Sequence, residues 1–482
     1  MKNHPLSISW LRWPTLMLAL LLAAACGGEE LGGDVASKDQ RLYVWDKKVW
    51  NQVDIPVCWN TAGFFRQKGW VRDEVNRAWA QWAHVNLTGW GTCGANPQGI
   101  TIDVVDDGPW SHYGTNSLTN NPSMQLNFTF NNWRAASCGG VNVEPCIRKI
   151  AVHEFGHALA MIHEHQRDDR PNLAVFVNNA GDNQWDKWGK DDESTTYGDY
   201  DAASIMTYTY TWFDTDLSKV LSRGDIAGAQ AVYGRKPRYS LVGVGGKCLD
   251  VKGGTVGEGK MLQMYRCHGK QNQQFTVTQY SVSPKGSWLR VAATNAYSGT
   301  QASIQQLNQP NKFAMKEFQV VGFGGMCLTD KNGGWVRMRD CDGSTNQRWK
   351  KYGSYGLRSV NSNKCLKLSG VWLKTADCGD YTKVFYSDGA IRMDSSTATN
   401  CLDVAGGWPA LQFASDPYVK IYPCKADGPN AGNQRWVKRG ELRLVSNSKK
   451  CLDVKANTTA QGAKAQVYTC HGGDNQQFDY YF

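Results

Sequence analysis

Four of the nine histidines crowd into residues 153–165, where the chain reads His153-Glu154-Phe155-Gly156-His157-Ala158-Leu159-Ala160-Met161-Ile162-His163, with His165 just beyond. Histidines four apart stand on one face of a helix, so His153 and His157 can both reach one metal ion. The carboxylate of Glu154 is then placed to take a proton from water activated by that metal. His163 cannot join them on a continuous helix, because ten residues at ~1.5 Å each carry it roughly 15 Å along the axis. A third ligand therefore requires the helix to end after His157 and the chain to fold back. Failing His163, the nearby donors are Glu164, His165 and Asp168, none at a better spacing. The competing reading is a surface helix with chance histidines. The helix needed here covers residues 146–158, and Ile150, Phe155 and Leu159 fall on its other faces, where they anchor it to a core.

The whole stretch resembles the metzincin motif H-E-x-x-H-x-x-G-x-x-H at every position but one. The exception is Ala160, where the family has glycine. Glycine tolerates the left-handed turn that ends the helix, whereas alanine costs roughly 1–2 kcal/mol there. Downstream, Ser204-Ile205-Met206-Thr207-Tyr208 resembles the Met-turn of the astacin subgroup, as does the run His163-Glu164-His165-Gln166-Arg167-Asp168. The resemblance covers about residues 45–235. It implies one catalytic Zn²⁺ held by His153, His157 and His163, Glu154 as general base and Met206 as a floor beneath the metal. It also implies Tyr208 as a labile ligand that stabilises the tetrahedral intermediate, with Tyr210 as a rival. In astacins the glutamate after the third histidine pairs with a freed N-terminus; here Glu164 is expected to find another partner. The segment 221–234 resembles the helix that closes bacterial metzincin domains.

The N-terminus carries Lys2 and Arg12, then the apolar run Leu16–Ala25. That run is shorter than the ~20 residues of a membrane span and reads as a secretory signal over residues 1–25. Cys26-Gly27-Gly28 resembles a bacterial lipobox, with Cys26 as the lipidated residue and 26–44 as a linker. Ordinary cleavage and free secretion is the alternative, so the expected localisation is an exported protein, lipid-anchored at the cell envelope or released. Setting Cys26 aside leaves an even fourteen of the fifteen cysteines, which suits disulfides in an oxidising compartment. Cys58, Cys93, Cys138 and Cys146 admit three connectivities, of which a local 138–146 loop is one element. The other ten fall as successive pairs.

Charge divides the chain. Residues 41–234 hold 16 Lys/Arg against 22 Asp/Glu, or −6, whereas residues 235–482 hold 34 against 17, or +17. A basic module on an acidic one suits anionic cell-surface polymers. No nucleic-acid motif is present, so nucleic acid is not an expected partner.

Residues 236–482 are a repeat array. Cys-Leu-Asp-Val recurs at 248, 401 and 451, with relatives at Cys327 and Cys365, and the repeats close with Asn-Gln-x-aromatic. With a degenerate copy around Trp288–Phe318, six repeats result. They resemble ricin-type lectin repeats, three of which form one β-trefoil, so two tandem trefoils are expected at 236–351 and 352–482. In that family an aspartate, an aromatic ring and the closing asparagine bind sugar, through hydrogen bonds to hydroxyls and stacking on C–H faces. The corresponding residues are Asp250, Gln263, Tyr265 and Asn272 in repeat one; Asp403, Tyr422 and Asn433 in repeat five; and Asp453, Gln466, Tyr468 and Asn475 in repeat six. Internal bracing of each repeat is the competing role for these side chains.

The expected architecture is an α+β metzincin catalytic domain (45–235) followed by all-β tandem β-trefoils. The expected activity is zinc-dependent hydrolysis of protein or peptide substrates, targeted to glycans, with membrane contact only through a lipid anchor. Two alternatives are an adhesin with a weak protease domain and a peptidoglycan-directed zinc hydrolase.

Overall fold

The computed structural model describes residues 42–171, 194–197, 200–207, 221–394, 399–405, 417–426 and 429–482. In the N-terminal half, β1 (Leu42–Trp45) precedes a five-stranded sheet made of β2 (Asp54–Trp59), β3 (Asn86–Thr92), β4 (Ile100–Val104), β5 (Trp110–Ser111) and β6 (Met124–Leu126). Their spatial order is β3-β2-β4-β6-β5, parallel except for the antiparallel edge strand β5. Helix α1 (Phe65–Val75) runs on through a π turn at Asn76–Ala80, and the short α2 (Ala135–Cys138) leads into α3 (Val143–Ala158). Strand β7 (Ser194–Tyr197) pairs with β1, and α4 (Arg223–Tyr233) closes this half. Disulfides Cys58–Cys93 and Cys138–Cys146 settle the connectivity that the sequence left open. The core between sheet and helices contains Ile55, Val57, Trp79, Ile102, Ile150, Ala151 and Phe155, all buried.

The C-terminal half is built of six repeats, five of them stapled by the expected cysteine pairs. Their partition into barrels departs from sequence order. In the first trefoil, Phe275–Val277 pairs with Val282–Pro284 and Phe313–Ala314 with Arg443–Leu444, while Tyr480 and Asp479 return to Leu241 and Val242. The hairpins agree: Ala302 N–H donates to Ala465 O at 2.8 Å, and Leu262 N–H donates to Ala302 O at 3.0 Å. Repeats one, two and six therefore share one barrel. Repeats three, four and five close the other, through Trp349–Tyr352 with Gly356–Ser359, Val384–Ser387 with Ala390–Met393, and Val437–Glu441 with Gln319–Val321.

The second trefoil is thus inserted into the first, and the expected division at 351/352 falls inside it. Short crossings make this feasible: the chain enters between Ala314 and Gln319 and leaves between Glu441 and Arg443, side by side. Strand 438–441 also pairs antiparallel with 477–480, which fuses the barrels. Gly440 is required at this crossing, since a Cβ there would press within 2.7 Å of Glu317 O.

Catalytic and trefoil parts are joined by polar contacts, the first two of them buried and the third exposed. Asn86 exchanges hydrogen bonds with the Cys267 backbone, Lys247 Nζ donates to Asn76 Oδ1 at 3.1 Å, and Arg223 pairs with Asp340 at 2.8 Å. Gly246 packs so closely on the Ala80 carbonyl that no side chain fits. Among the described residues no helix is long and apolar enough to cross a membrane.

Candidate functional site

Helix α3 carries the metal-ligand pair. Glu144 in its first turn suits the helix dipole and pairs with Arg148 at 2.6 Å, and the Cys138–Cys146 bridge ties its start to α2. Its end sets the chemistry. Ala160 N–H donates to His157 O at 2.7 Å and Met161 N–H to Gly156 O at 3.0 Å, the two bonds of a Schellman motif, with Ala160 left-handed at φ 65°. Alanine takes the turn that the family gives to glycine. The departing chain is then caught by β1, with Ile162 N–H donating to Tyr43 O and Trp45 N–H to Ala160 O. This fold-back delivers His163.

The three imidazoles converge. His163 Nε2 lies 3.2 Å from His153 Nε2 and 3.1 Å from His157 Nε2. Tetrahedral zinc with nitrogens at roughly 2.0–2.1 Å needs them about 3.3 Å apart. The outer nitrogens of two rings are committed: His153 Nδ1 bonds to Ile205 O at 2.8 Å and His157 Nδ1 to Met161 O at 2.7 Å. A carbonyl partner fixes the proton on Nδ1, so the inward Nε2 atoms present lone pairs. Burial keeps the rings neutral, holding His157 down at about 4 and His153 and His163 well below their ordinary value. Lone pairs at this separation repel one another unless a cation lies between them. The donor set therefore fits zinc. Of the alternative donors, His165 stacks on His163 at 4.7 Å but does not join the cluster.

Glu154 is buried beside the cluster, and its Oε2 has no hydrogen-bond partner. Burial pushes this carboxyl up to about 8. A buried carboxyl group with an unpartnered oxygen, next to the metal ligands in the chain, is positioned as a general base requires.

Met206 is fully buried, and its sulfur lies 2.4 Å from where a Cβ on Gly156 would be. Its turn serves the ligands directly: Ile205 O orients His153, and Met206 O accepts from Glu164 N at 3.0 Å. The turn is itself held from α4, where Asp225 accepts from Ser204 Oγ at 2.6 Å and from Ile205 N at 2.9 Å. Asp225 also forms the capping box of α4 with Ser222. This support was missed from sequence, although Ser222-x-x-Asp225 is a readable cap signature. Glu164 finds its partners in Asp201 N at 3.0 Å and in the fully buried Arg167 at 3.4 Å. Tyr113 was also missed and had no local signal. Its ring packs edge-on to His157 at 5.0 Å, and burial together with Glu154 pushes its hydroxyl up to about 12. Tyr208, Tyr210 and Cys26 lie outside the described residues.

With this geometry in view, the comparisons are specific. The astacin peptidase family matches residues 141–243, from the start of α3 through the Met-turn to α4. The catalytic part is an astacin-family domain. The ricin-type β-trefoil lectin domain matches residues 316–412 and 387–481, and the C-terminal half is of that family. Flavastacin of Elizabethkingia meningoseptica is 27% identical over 152 residues, covering 26% of this chain and 34% of flavastacin, so the chain spans about a third of that relative's length. Among solved structures, myroilysin is similar at 22% identity over 40% of this chain and 98% of its own, with a TM-score of 0.31. A non-toxic type II RIP homologue from Momordica charantia, in complex with α-methyl-D-galactoside, is similar at 18% identity over 42% of this chain and 98% of its own, with a TM-score of 0.21. Astacins are zinc metalloproteases, and this astacin domain carries the histidine triad.

The sugar-site residues come together repeat by repeat. Asp250 accepts from Gln263 at 2.9 Å, Asn272 at 2.7 Å and Gln273 at 3.0 Å; Asp453 accepts from Gln466, Asn475 and Gln476 at 3.0, 2.7 and 3.0 Å. In repeat five Asp403 accepts from Asn433 at 2.9 Å and Gln434 at 3.0 Å. These aspartates are buried and brace their repeats, while Tyr422 and Tyr468 stand 48% and 44% exposed, the first with Lys420 Nζ 5.1 Å from its ring centroid and the second edge-on to His471. Repeats one and six share a further residue that sequence reading passed over. His268 and His471 place Nε2 3.5 and 3.6 Å from Asp250 and Asp453. The signal was present in the repeated Cys-His-Gly triplet at 267 and 470.

Proposed function

We propose that this chain is an exported zinc-dependent endopeptidase that its lectin-type trefoils hold near glycan-bearing surfaces. The observation that carries the catalytic part is the convergence of three Nε2 atoms, two of them turned to present lone pairs by carbonyls on Nδ1, beside the unpartnered Oε2 of Glu154. His153, His157 and His163 are the residues that hold the metal. Zinc, when bound there, supplies Lewis acidity that activates water and polarises the scissile carbonyl. Glu154 accepts the proton of the attacking water and returns it to the leaving amine. Ile205 and Met161, through their carbonyls, keep two imidazoles in the ligating tautomer, and Tyr208 is assigned to the developing oxyanion. The trefoils bind glycan through Asp250, Asp403 and Asp453 with their aromatic and amide partners, and several weak sites add avidity on a multivalent surface. Export is proposed from the N-terminal leader, with Cys26 as the lipid-bearing residue.

The test is hydrolysis of an unfolded protein substrate by wild type and by Glu154→Gln, each with and without the substrate attached to a glycan matrix. The proposal expects loss of turnover in the variant and faster cleavage on the matrix for wild type. Equal turnover by the two proteins would overturn the catalytic assignment, and indifference to the matrix would overturn the targeting.

A further inference from the structure

A cleft of about 460 Å³ opens where the two fused barrels meet, away from the three lectin-type sites. Its walls are hairpins of the two barrels: Tyr280 from the first trefoil and Tyr355 from the second stand in turns, and Phe385, Tyr386, Lys438 and Lys351 stand on strands. The volume is that of a small-ligand site. Tyr280 and Tyr355 are exposed at the rim, and Tyr355 packs on Phe385 with centroids 4.6 Å apart. These are rings without a core to serve.

The charge in the cleft is unbalanced. Lys438 Nζ lies 3.3 Å from the centroid of the Tyr386 ring and within 5.5 Å of the Phe318 and Phe482 rings. No carboxylate among the described residues pairs with Lys438, and its nearest charged influence is another cation, Lys351. Among the described residues lining the cleft the one acidic side chain is Asp388, which is engaged by Arg238 at 2.7 Å, and the main-chain oxygen of Phe482 is taken by Gly389 N–H at 2.6 Å. Burial and Lys351 together lower the Lys438 ammonium to about 7. Tyr386 Oη, in the same wall, is buried without a hydrogen-bond partner. Aromatic walls, two cations with no carboxylate partner among the described residues and an unsatisfied hydroxyl are complementary to one class of molecule. That molecule is a ring with apolar C–H faces, hydroxyl groups and a carboxylate.

We infer that the junction of the two trefoils is a fourth glycan site, selective for a sugar acid, in which Lys438 and Lys351 receive the carboxylate and the tyrosines of the rim cover the ring. Phosphate-bearing ligands are a poorer match, because no arginine is among the described residues that line the cleft.

Calorimetric titration of the full chain tests this with galacturonic acid and its uncharged methyl ester, which share the ring and differ only in charge. The inference expects the acid to bind about tenfold or more tightly than the ester, as loss of a charge-assisted bond predicts. Lys438→Met and the exposed Lys351→Met should each reduce acid binding toward the ester's level, the second without any change in melting temperature. Tyr280→Ala should weaken acid and ester alike. Equal binding of acid and ester would overturn the site. So would acid binding that survives both lysine substitutions, since it would then arise at the lectin-type sites. Absence of heat with galacturonic, glucuronic and N-acetylneuraminic acids at millimolar concentration, or equal heat with inorganic phosphate, would also overturn it.

Discussion

Gly156 is the tightest point between the metal helix and the turn beneath it. A methyl group added there would overlap the Met206 sulfur and lie 3.1 Å from its Cε and 3.3 Å from the Trp79 ring. Helix propensity alone favours Gly156→Ala by about 1 kcal/mol, whereas overpacking a filled core costs about 1–3 kcal/mol. The net expectation in metal-free protein is destabilisation of ~0–2 kcal/mol. Displacement of Met206 also moves Ile205 O and Met206 O, which hold His153 and Glu164. Loss of such outer-shell support weakens zinc binding by roughly 10–100-fold.

The assay is a double-mutant cycle in urea with Gly156→Ala, Met206→Ala and the pair, together with competitive zinc titration. Met206→Ala alone should cost about 2–5 kcal/mol through its cavity. In the pair the new methyl enters that cavity, so the combined cost should fall short of the sum by about 1–2 kcal/mol. Strict additivity, or a Gly156→Ala protein stabilised by the full helix-propensity gain with unchanged zinc affinity, would refute the packing argument.

Three further outcomes follow from the same geometry. In metal-free protein Glu154 sits at about 8 against an ordinary 4.5, so the fold holds that proton more tightly than the unfolded chain does. Its stabilising contribution is complete below about pH 4.5 and is lost as pH rises through 8, at about 1.4 kcal/mol per unit. Glu154→Gln does not titrate and should gain on wild type by a few kcal/mol from pH 5 to 8 in urea denaturation of chelated samples; a constant difference would contradict the burial. Ala160→Gly should be close to neutral, because ~1–2 kcal/mol of relieved left-handed strain is offset by ~0.5–1 of glycine entropy and ~0.8 for the buried methyl. A stabilisation above about 2 kcal/mol in thermal unfolding would show a strained ligand loop. A fragment of residues 319–442 should unfold cooperatively by near-UV circular dichroism, whereas 352–482 should not, since the latter divides both barrels.

The metal site was legible because its signal is local. A four-residue spacing fixes two ligands on one face, and the distance to His163 demands a fold-back whatever surrounds it. Ala160 shows that the turn is dictated by this demand rather than by residue preference, for alanine adopts φ 65° to meet it. Met206 and the cysteine pairs were legible through short motifs. What escaped was non-local. The six repeats carry nearly the same strand pattern, so nothing within a repeat says whether its last strand pairs with its neighbour or with a repeat more than a hundred residues away. Repeats one and six did share the Cys-His-Gly triplet, and they share a barrel. Asp225 was visible as a cap, but its hold on Ser204 and Ile205 depends on how α4 packs, and Tyr113 reaches His157 only through the loop after β5.

The most direct test of the central claim is a titration of zinc into chelated protein, with bound metal and hydrolysis of an unfolded protein followed in the same samples. Activity should rise in proportion to bound zinc and stop at one equivalent per chain, and Glu154→Gln should take up the same equivalent without turnover. Activity that ignores added zinc, or a wild-type protein that binds one equivalent and stays inert, would contradict the account.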